Sequence, residues 1–459
     1  MYNLAIIGGG PAGYVAAEKA LHLGKSVVLF EKEAVGGTCL NVGCIPTKTL
    51  LYSAKLYHNA THADKYGIKT EGASFDFGKM QQRKIKVVRK LVAGIRAKLQ
   101  GCDMVQGKAE VTAWTPDSVT IECAEQTYEA EKLLICTGST NFVPPIPGIA
   151  DNPCVWSSTD ALAATELPAS IAIVGGGVIG MEFATLYSEL GIPVTVIEAL
   201  PTILPNIDPE IAELLAASYR KRGIQILTGT RVQELVCCVN SSPMIGEVSG
   251  LPTEGYETRI ITDKGELCAD RVLVCVGRRP NLDGLETLPL ELDRRAIRVN
   301  ECMQTNLPNV YAAGDVTGKI MLAHVASRQA EVAVENIFSE TQGNRSVMSY
   351  EAVPSVVYTN PEIASVGARE ADLPQAEVHR LPMTFSGRFV AENEGENGLC
   401  KVLTENGHIR GVHLYGNPCS EFVATAAMAI ETDLTLDQFA RVIFPHPTVS
   451  EILKEATNS

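Results

Sequence analysis

Short apolar runs bounded by glycine alternate along this chain with stretches in which apolar side chains return every three to four residues. Leu4 to Ile7 is such a run; Gly8-Gly9-Gly10-Pro11-Ala12-Gly13 follows, then a helical pattern to Leu23, a break at Gly24, and a second run from Ser26 to Phe30 ending at Glu31. This order predicts strand, turn, helix, strand, the runs being strands buried within a parallel sheet. The same order returns in Ile171 to Val174, Gly175-Gly176-Gly177-Val178-Ile179-Gly180, a helix through Leu190, and Val194 to Ile197 ending at Glu198. Glu31 follows Gly8, and Glu198 follows Gly175, by 23 positions each.

Both copies carry the βαβ dinucleotide fingerprint. Gly8 permits the turn, Gly10 lets backbone approach a pyrophosphate at the helix N-terminus, Gly13 allows close helix packing, and Glu31 can accept a ribose hydroxyl; Gly175, Gly177, Gly180 and Glu198 repeat the set. A carboxylate at Glu198 can bond a free 2′-hydroxyl and would repel a 2′-phosphate. The first arginine beyond it is Arg220, so the second copy prefers NAD to NADP.

Between the copies, Val88, Leu91, Val92, Ile95 and Leu99 recur at helical spacing among six basic residues, read as a core stripe with a solvated basic face. Alternation from Asp103 to Tyr128 predicts an antiparallel meander, and Lys132 to Cys136 a buried strand ending at Thr137-Gly138-Ser139. Prolines 144, 145 and 147 with Gly148 mark a boundary. The polar stretch from Asn240 to Gly255 reads as an extended hairpin loop without assigned function. Arg271 to Val276 and Val310 to Ala313 read as strands leading into Gly277-Arg278-Arg279-Pro280-Asn281 and Gly314-Asp315, and a helix is expected from His324 to Phe338. The expected class is α/β, with two Rossmann-like nucleotide-binding domains at 1–147 and 148–276, a central segment at 277–346 completing the first, and an α+β domain at 347–459.

The 459 residues, 46% hydrophobic, suffice for about three domains with sizeable cores. A net charge of -14 disfavours a general nucleic-acid surface, and no apolar run reaches membrane-spanning length. The N-terminus reads as a strand of the fold with no signal peptide, so a cytoplasmic location is expected. Thirteen scattered cysteines fit free thiols in a reducing compartment better than a disulfide framework, which makes any special pair catalytic.

That pair is Cys39 and Cys44, within Gly36-Gly37-Thr38-Cys39-Leu40-Asn41-Val42-Gly43-Cys44-Ile45-Pro46-Thr47-Lys48. Five positions along a regular helix separate Cα atoms by about 8 to 9 Å, beyond the roughly 4.4 to 6.8 Å that a disulfide spans. Gly43 and Pro46 allow a bent helix start in which the sulfurs meet, and a bridge closed there would be easily reduced. Two other readings stand beside this one: ordinary small hydrophobes, and half of a zinc site. A second candidate is His446, in Pro445-His446-Pro447-Thr448-Val449-Ser450-Glu451. Histidine suits proton transfer with thiols near neutral pH, and Glu451 could orient the ring. The same Thr448 and Glu451 also form a helix capping box.

Taken together, GGGPAG, GGTCLNVGCIPTK, GGGVIGMEF, VGRRPN, YAAGD and HPTVSE resemble, in order and over essentially the whole chain, the class I pyridine nucleotide-disulfide oxidoreductases. Within that family the resemblance is to the flavoproteins that serve 2-oxoacid dehydrogenase and glycine cleavage complexes. It implies FAD against Gly8, Gly10, Pro11, Ala12, Gly13, Glu31, Lys48, Thr137, Gly138, Asp315 and Ala323. NAD is implied against Gly175, Gly177, Val178, Ile179, Gly180, Glu182, Glu198 and Gly277. It makes Cys39–Cys44 a redox-active disulfide, Cys39 exchanging with substrate and Cys44 facing the flavin, with Lys48 near the flavin and paired with Glu182. His446, oriented by Glu451, becomes the base, acting across the interface of a homodimer built by the C-terminal domain. The implied activity is NAD-dependent oxidation of protein-bound dihydrolipoamide. No lipoyl domain is recognised, so a lipoyl-bearing partner protein is expected, with neither nucleic acid, membrane nor metal. A mercuric reductase would carry a C-terminal cysteine pair, whereas this chain ends Lys454-Glu-Ala-Thr-Asn-Ser459. A relative reducing another disulfide, or a flavin redox sensor or assembly subunit, remains the alternative.

Overall fold

The computed structural model describes residues 1–150, 152–240, 255–339 and 345–458. They form two compact units, the first drawn from 1–49, 81–142 and 277–349, the second from 50–80, 143–276 and 350–458.

In the first unit the strand Tyr2–Ile7 lies between Val27–Glu31 and Gln126–Ile135, parallel to both, and Val310–Ala312 pairs parallel with Gln126–Ile135. Leu4, Ala5, Ile6, Val28, Leu29, Leu133 and Leu134 are fully buried, the pattern of strands covered on both faces. The helix Pro11–His22 starts with Pro at its first position, where no donor is lost, and buries Ala12, Gly13, Ala16, Ala17 and Ala20. These small side chains bring its axis close to its neighbours, among them the helix Ala323–Ile337. Both fingerprints therefore fold as strand, glycine turn and helix.

Two local expectations need correction. Asp103–Gln106 is not part of the meander; it pairs parallel with Val27–Glu31 at the sheet edge, and only Glu110–Trp114, Val119–Cys123 and Gln126–Ile135 form antiparallel neighbours. The chain reaches Asp103 through a long helical crossover, which delivers a parallel strand. The basic helix Phe77–Lys98 forms as expected, yet Met80 is its one buried residue, while Ile85 and Leu91 are exposed. Its apolar stripe is half-covered within one chain.

The second unit holds a parallel sheet in the order Gln225–Leu227, Val194–Ile197, Ile171–Val174, Arg271–Val274, Val155–Trp156. A three-stranded antiparallel sheet, Val232–Asn240, Gly255–Thr262 and Gly265–Ala269, lies against it through Leu235, Ile260 and Ala269, which share a core with Ala172, Val174 and Val272. The polar stretch within 240–255 has its flanks paired, Asn240 opposite Gly255, and 241–254 lie outside the described residues. The C-terminal part is a five-stranded antiparallel sheet, Ser355–Val357, Ile363–Gly367, His408–Tyr415, Leu399–Glu405, Glu377–Pro382, with the helix Cys419–Glu431 packed on it. Among the described residues no helix is long and apolar enough to cross a membrane.

Candidate active site

In the first unit the glycine turn and the cysteine segment are fitted to one another. Gly8 has φ +104°, and a Cβ there would meet the Cys136 carbonyl oxygen at 2.1 Å; a Cβ on Gly13 would meet the Gly8 carbonyl oxygen at 1.8 Å. Gly37 has φ +57°, and its Cβ would lie 2.7 Å from Gly10 Cα. The Gly36 N–H donates to the Gly9 carbonyl at 2.8 Å. Backbone thus packs directly on backbone, which only glycine allows, and the cysteine segment is mounted on the turn. Glu31 closes the same assembly: Oε2 accepts from the Gly9 N–H at 2.7 Å and Oε1 from the Glu33 N–H at 2.8 Å. Each oxygen keeps a lone pair for another donor.

The cysteine segment breaks as its residues require. A helix Gly37–Val42 ends at Gly43, and a second, Cys44–Thr61, begins at once. A Cβ on Gly43 would sit 2.8 Å from the Thr38 carbonyl oxygen, so the close turn between the cysteines needs glycine. Pro46 falls in the first turn of the second helix, where its missing N–H costs nothing. Thr47 ties that turn down, its N–H and Oγ1 both donating to the Gly43 carbonyl at 3.1 and 2.7 Å. Cys39 and Cys44 are both free, half-buried thiols, close enough for each to sense the other's charge.

Sharing a proton with Cys44, then burial, then the charge of that thiol push the Cys39 thiol far above its ordinary range, while the Lys48 ammonium pulls it down. Two thiolates in such contact repel strongly, so the pair holds one negative charge at a time. Tyr14, on the helix behind the glycine turn, is raised by burial and then by the charge of Cys39. A second cation of the unit is Arg278. Burial lowers its affinity for its proton, and the charges of Asp315 and Cys44 oppose that shift. Arg278 donates from Nε to Ser139 Oγ at 2.8 Å, from Nη2 to the Ser139 carbonyl at 2.7 Å and from Nη1 to Asn141 Oδ1 at 2.6 Å; the Ser139 hydroxyl donates to Asp315 Oδ2. The charges of two cations thus act on the pair, that of Lys48 on Cys39 and that of Arg278 on Cys44.

Thr137 and Gly138 end the central strand and hold the returning chain: Thr137 Oγ1 donates to the Asn281 carbonyl at 2.6 Å, and the Gly138 carbonyl accepts from the Asn281 N–H at 3.0 Å. Gly277 belongs to this unit, its carbonyl accepting from the Phe142 N–H at 3.0 Å. Ala323 opens the helix Ala323–Ile337, which also sends Gln329, fully buried, to accept from the Gly314 N–H at 2.7 Å.

The second unit repeats the turn. Gly175 has φ +109° with the Cys275 carbonyl oxygen 2.4 Å from a would-be Cβ, and Gly180 meets the Gly175 carbonyl oxygen at 2.1 Å. Glu198 mirrors Glu31, Oε2 accepting from the Gly176 N–H at 2.6 Å and Oε1 from the Leu200 N–H at 2.7 Å. Gly177 caps the helix Val178–Glu189 with no side-chain bond, and nothing lies within 4 Å of where its Cβ would be. N–H groups at a helix start without a side-chain cap suit a pyrophosphate. Glu182, on the same helix, is buried, and its Oε1 accepts from the Tyr358 N–H at 3.1 Å.

Near the C-terminus, His446 Nδ1 lies 3.0 Å from Glu451 Oε1, and Glu451 Oε2 accepts from the Thr448 N–H at 2.8 Å. The capping role and the orienting role are thus both filled, one by each carboxylate oxygen. The Thr448 N–H and then His446 hold the Glu451 carboxyl below the usual range. The imidazole is 81% exposed. The His446-Pro447 bond is cis.

Sequence reasoning named the glycines, acids, cysteines and His446, and passed over Ser139, Arg278 and Gln329. Arg278 stood inside a quoted motif, and an arginine beside a buried strand end was the available signal.

Residues 2–330 match the family described as pyridine nucleotide-disulphide oxidoreductase, and 353–457 match its dimerisation domain. The chain is 36% identical to a dihydrolipoyl dehydrogenase of Mycoplasma pneumoniae, covering 99% of this chain and 97% of the relative. It is 37% identical to one of Thermus scotoductus, covering 100% and 97%. Among solved structures it is similar to the HOCl-induced flavoprotein disulfide reductase RclA from Escherichia coli, with a TM-score of 0.84, 28% identity, and coverage of 100% and 99%. With two fingerprints, a dithiol on the first and a family match across both units, the chain belongs to the pyridine nucleotide-disulphide oxidoreductases.

Proposed function

We propose that this chain oxidises protein-bound dihydrolipoamide to lipoamide and passes the electrons to NAD, working as a homodimer beside a lipoyl-bearing subunit of a 2-oxoacid dehydrogenase or glycine cleavage complex. The observation that carries the reading is the Cys39–Cys44 pair, within one short segment seated through Gly37 on the first nucleotide turn. Full-length likeness to proteins named dihydrolipoyl dehydrogenase supports the choice of substrate.

FAD would rest on Gly8, Gly10, Pro11, Ala12, Gly13 and Glu31, with Lys48, Thr137, Gly138, Asp315 and Ala323 around it. NAD would rest on Gly175, Gly177, Val178, Ile179, Gly180, Glu182, Glu198 and Gly277. The chemistry that bound FAD supplies is transfer of a dithiol's two electrons to NAD as hydride.

The protein's own groups do the rest. From the disulfide state, His446 takes a proton from one substrate thiol, and the thiolate attacks Cys39; the Cys39–Cys44 bond breaks and Cys44 leaves as thiolate. The second substrate thiol then attacks the substrate sulfur bound to Cys39, so that lipoamide departs as a cyclic disulfide and Cys39 regains a proton. Lys48 and Arg278 favour the thiolate left behind. His446, exposed and held by Glu451, serves the dithiol of the partner protomer.

Steady-state assays of the purified protein with dihydrolipoamide and NAD, beside glutathione and NADP, test the reading. Turnover confined to the first pair is expected. Equal or faster turnover with glutathione and NADP would overturn it.

A further inference from the structure

Along the chain the first basic residue after Glu198 is Arg220, but the fold brings another cation to the same strand end. Asp263 and Lys264 form the turn between the strands Gly255–Thr262 and Gly265–Ala269, and that turn is fixed in place. The Asp263 N–H donates to the Arg231 carbonyl at 3.0 Å, and Asp263 Oδ1 accepts from the Arg231 N–H at 2.9 Å. Thr262 Oγ1 donates to the Gly265 carbonyl at 2.7 Å and accepts from the Lys264 N–H at 3.2 Å. From this turn the exposed Lys264 reaches the parallel sheet. Its Nζ donates to the Thr228 carbonyl at 3.2 Å and stands 3.4 Å from where a Cβ on Gly229 would be. Thr228 directly follows the strand Gln225–Leu227, the parallel neighbour of Val194–Ile197, which ends at Glu198. The two strand ends are bonded together: the Gly229 N–H donates to the Leu200 carbonyl at 2.8 Å, and the Leu200 N–H to Glu198 Oε1 at 2.7 Å. Lys264 and Glu198 therefore share the carboxyl edge of two adjacent strands, the edge on which open α/β sheets bind ligands.

We propose that Lys264 is a specificity-determining residue of the second nucleotide site: it is the cation that a 2′-phosphate on the adenosine ribose meets, and the Glu198 carboxylate alone keeps the site for NAD. This rests on the reading of the second glycine turn as an NAD site. The carboxylate acts twice. Its charge repels a 2′-phosphate, and its two oxygens occupy the N–H groups of Gly176 and Leu200. With the carboxylate gone, those two backbone donors and the Lys264 ammonium make a cradle for an anion. One of the three ammonium donors is spent on Thr228, which leaves the others for a phosphate oxygen. The preference for NAD is thus one side chain away from reversal.

The test is calorimetric titration of the holoprotein with 5′-AMP and with adenosine 2′,5′-bisphosphate, which adds only the 2′-phosphate. The parent protein should prefer AMP, and Glu198→Ala should abolish or reverse that preference. Lys264→Met added to Glu198→Ala should weaken the bisphosphate by about 10- to 100-fold, the worth of a charge-assisted hydrogen bond, and AMP by far less. Lys264→Arg in the same background should retain most of the gain. A second measurement leaves Glu198 in place, so it holds even if Glu198→Ala folds poorly: in Lys264→Met, the ratio of second-order rate constants for flavin reduction by NADPH and by NADH should fall about tenfold. If removing Lys264 leaves the balance between the phosphorylated and unphosphorylated nucleotides as it was, the proposal is overturned while the NAD site stands. A parent protein that binds neither AMP nor NADH would overturn the site itself, and the proposal with it.

Discussion

Gly37→Ala puts the joint between the nucleotide turn and the dithiol to a quantitative test. At φ +57° an alanine costs about 1 to 2 kcal/mol on conformational grounds alone. Its Cβ would then stand 2.7 Å from Gly10 Cα, against a normal carbon contact of about 3.5 to 4.0 Å. Neither partner is a flexible side chain, so the two backbones must part by about 1 Å. A displacement of that size between reacting groups can cost about 10²-fold in rate. Gly24→Ala is the matched control: it lies in the same unit at φ +71°, and a Cβ there has nothing within 4 Å. Both variants should lose a similar amount of thermal stability from backbone strain, whereas Gly37→Ala alone should release flavin more readily and turn over dihydrolipoamide about 10²-fold more slowly. Flavin fluorescence on dilution and steady-state NADH formation read the two effects. Equal flavin retention and equal turnover in the two variants would refute the claim that the Gly10–Gly37 contact positions the dithiol.

Further perturbations separate catalysis from folding. His446→Gln should slow dihydrolipoamide oxidation by about 10² to 10⁴-fold while NADH still reduces the flavin at the parental rate; stopped-flow absorbance distinguishes the half-reactions, and equal loss in both would remove His446 as the base. Glu451→Gln should lose less, since an amide oxygen can still accept from Thr448. Lys401, almost fully buried, meets the fully buried Asp208 at 2.8 Å and also Glu210 at 3.1 Å. Burial would raise the Asp208 carboxyl, but its bond to Lys401 and that cation's charge hold it below the usual range. Lys401→Met should therefore cost about 3 to 5 kcal/mol in urea unfolding near neutral pH, and Asp208→Asn in the same chain should recover part of it. A depressed carboxylate stabilises above its unfolded pKa of about 3.9 and ceases to as pH falls through its folded value. The deficit of Lys401→Met should accordingly shrink below about pH 4, and a deficit independent of pH would contradict the ion-pair account.

What could be read from the chain were features whose partners are close in sequence or fixed by a motif. Gly8, Gly10 and Gly13 with Glu31, and their repeats, declare themselves because turn, helix start and strand end lie within one βαβ unit. Gly43 between two cysteines announced a broken helix. Features made by distant segments stayed hidden. Nothing near Arg278 indicates that Ser139 and Asn141 will share its guanidinium, and nothing near Gly314 points to Gln329 on the following helix. Asp103–Gln106 reads as the first strand of a meander, yet its partner is decided by the crossover before it. Lys401 interrupts an apolar strand with a charge whose acid partner, Asp208, lies nearly two hundred residues earlier, so its burial could not be foreseen.

The account centres on Cys39 and Cys44 as the sulfurs that trade electrons with the substrate. Anaerobic treatment of the oxidised holoprotein with one equivalent of dihydrolipoamide, followed by alkylation and peptide mapping, tests this directly. Two new alkylated thiols, at Cys39 and Cys44 and at no other position, are the predicted result. New thiols at any other position, or none, would contradict it.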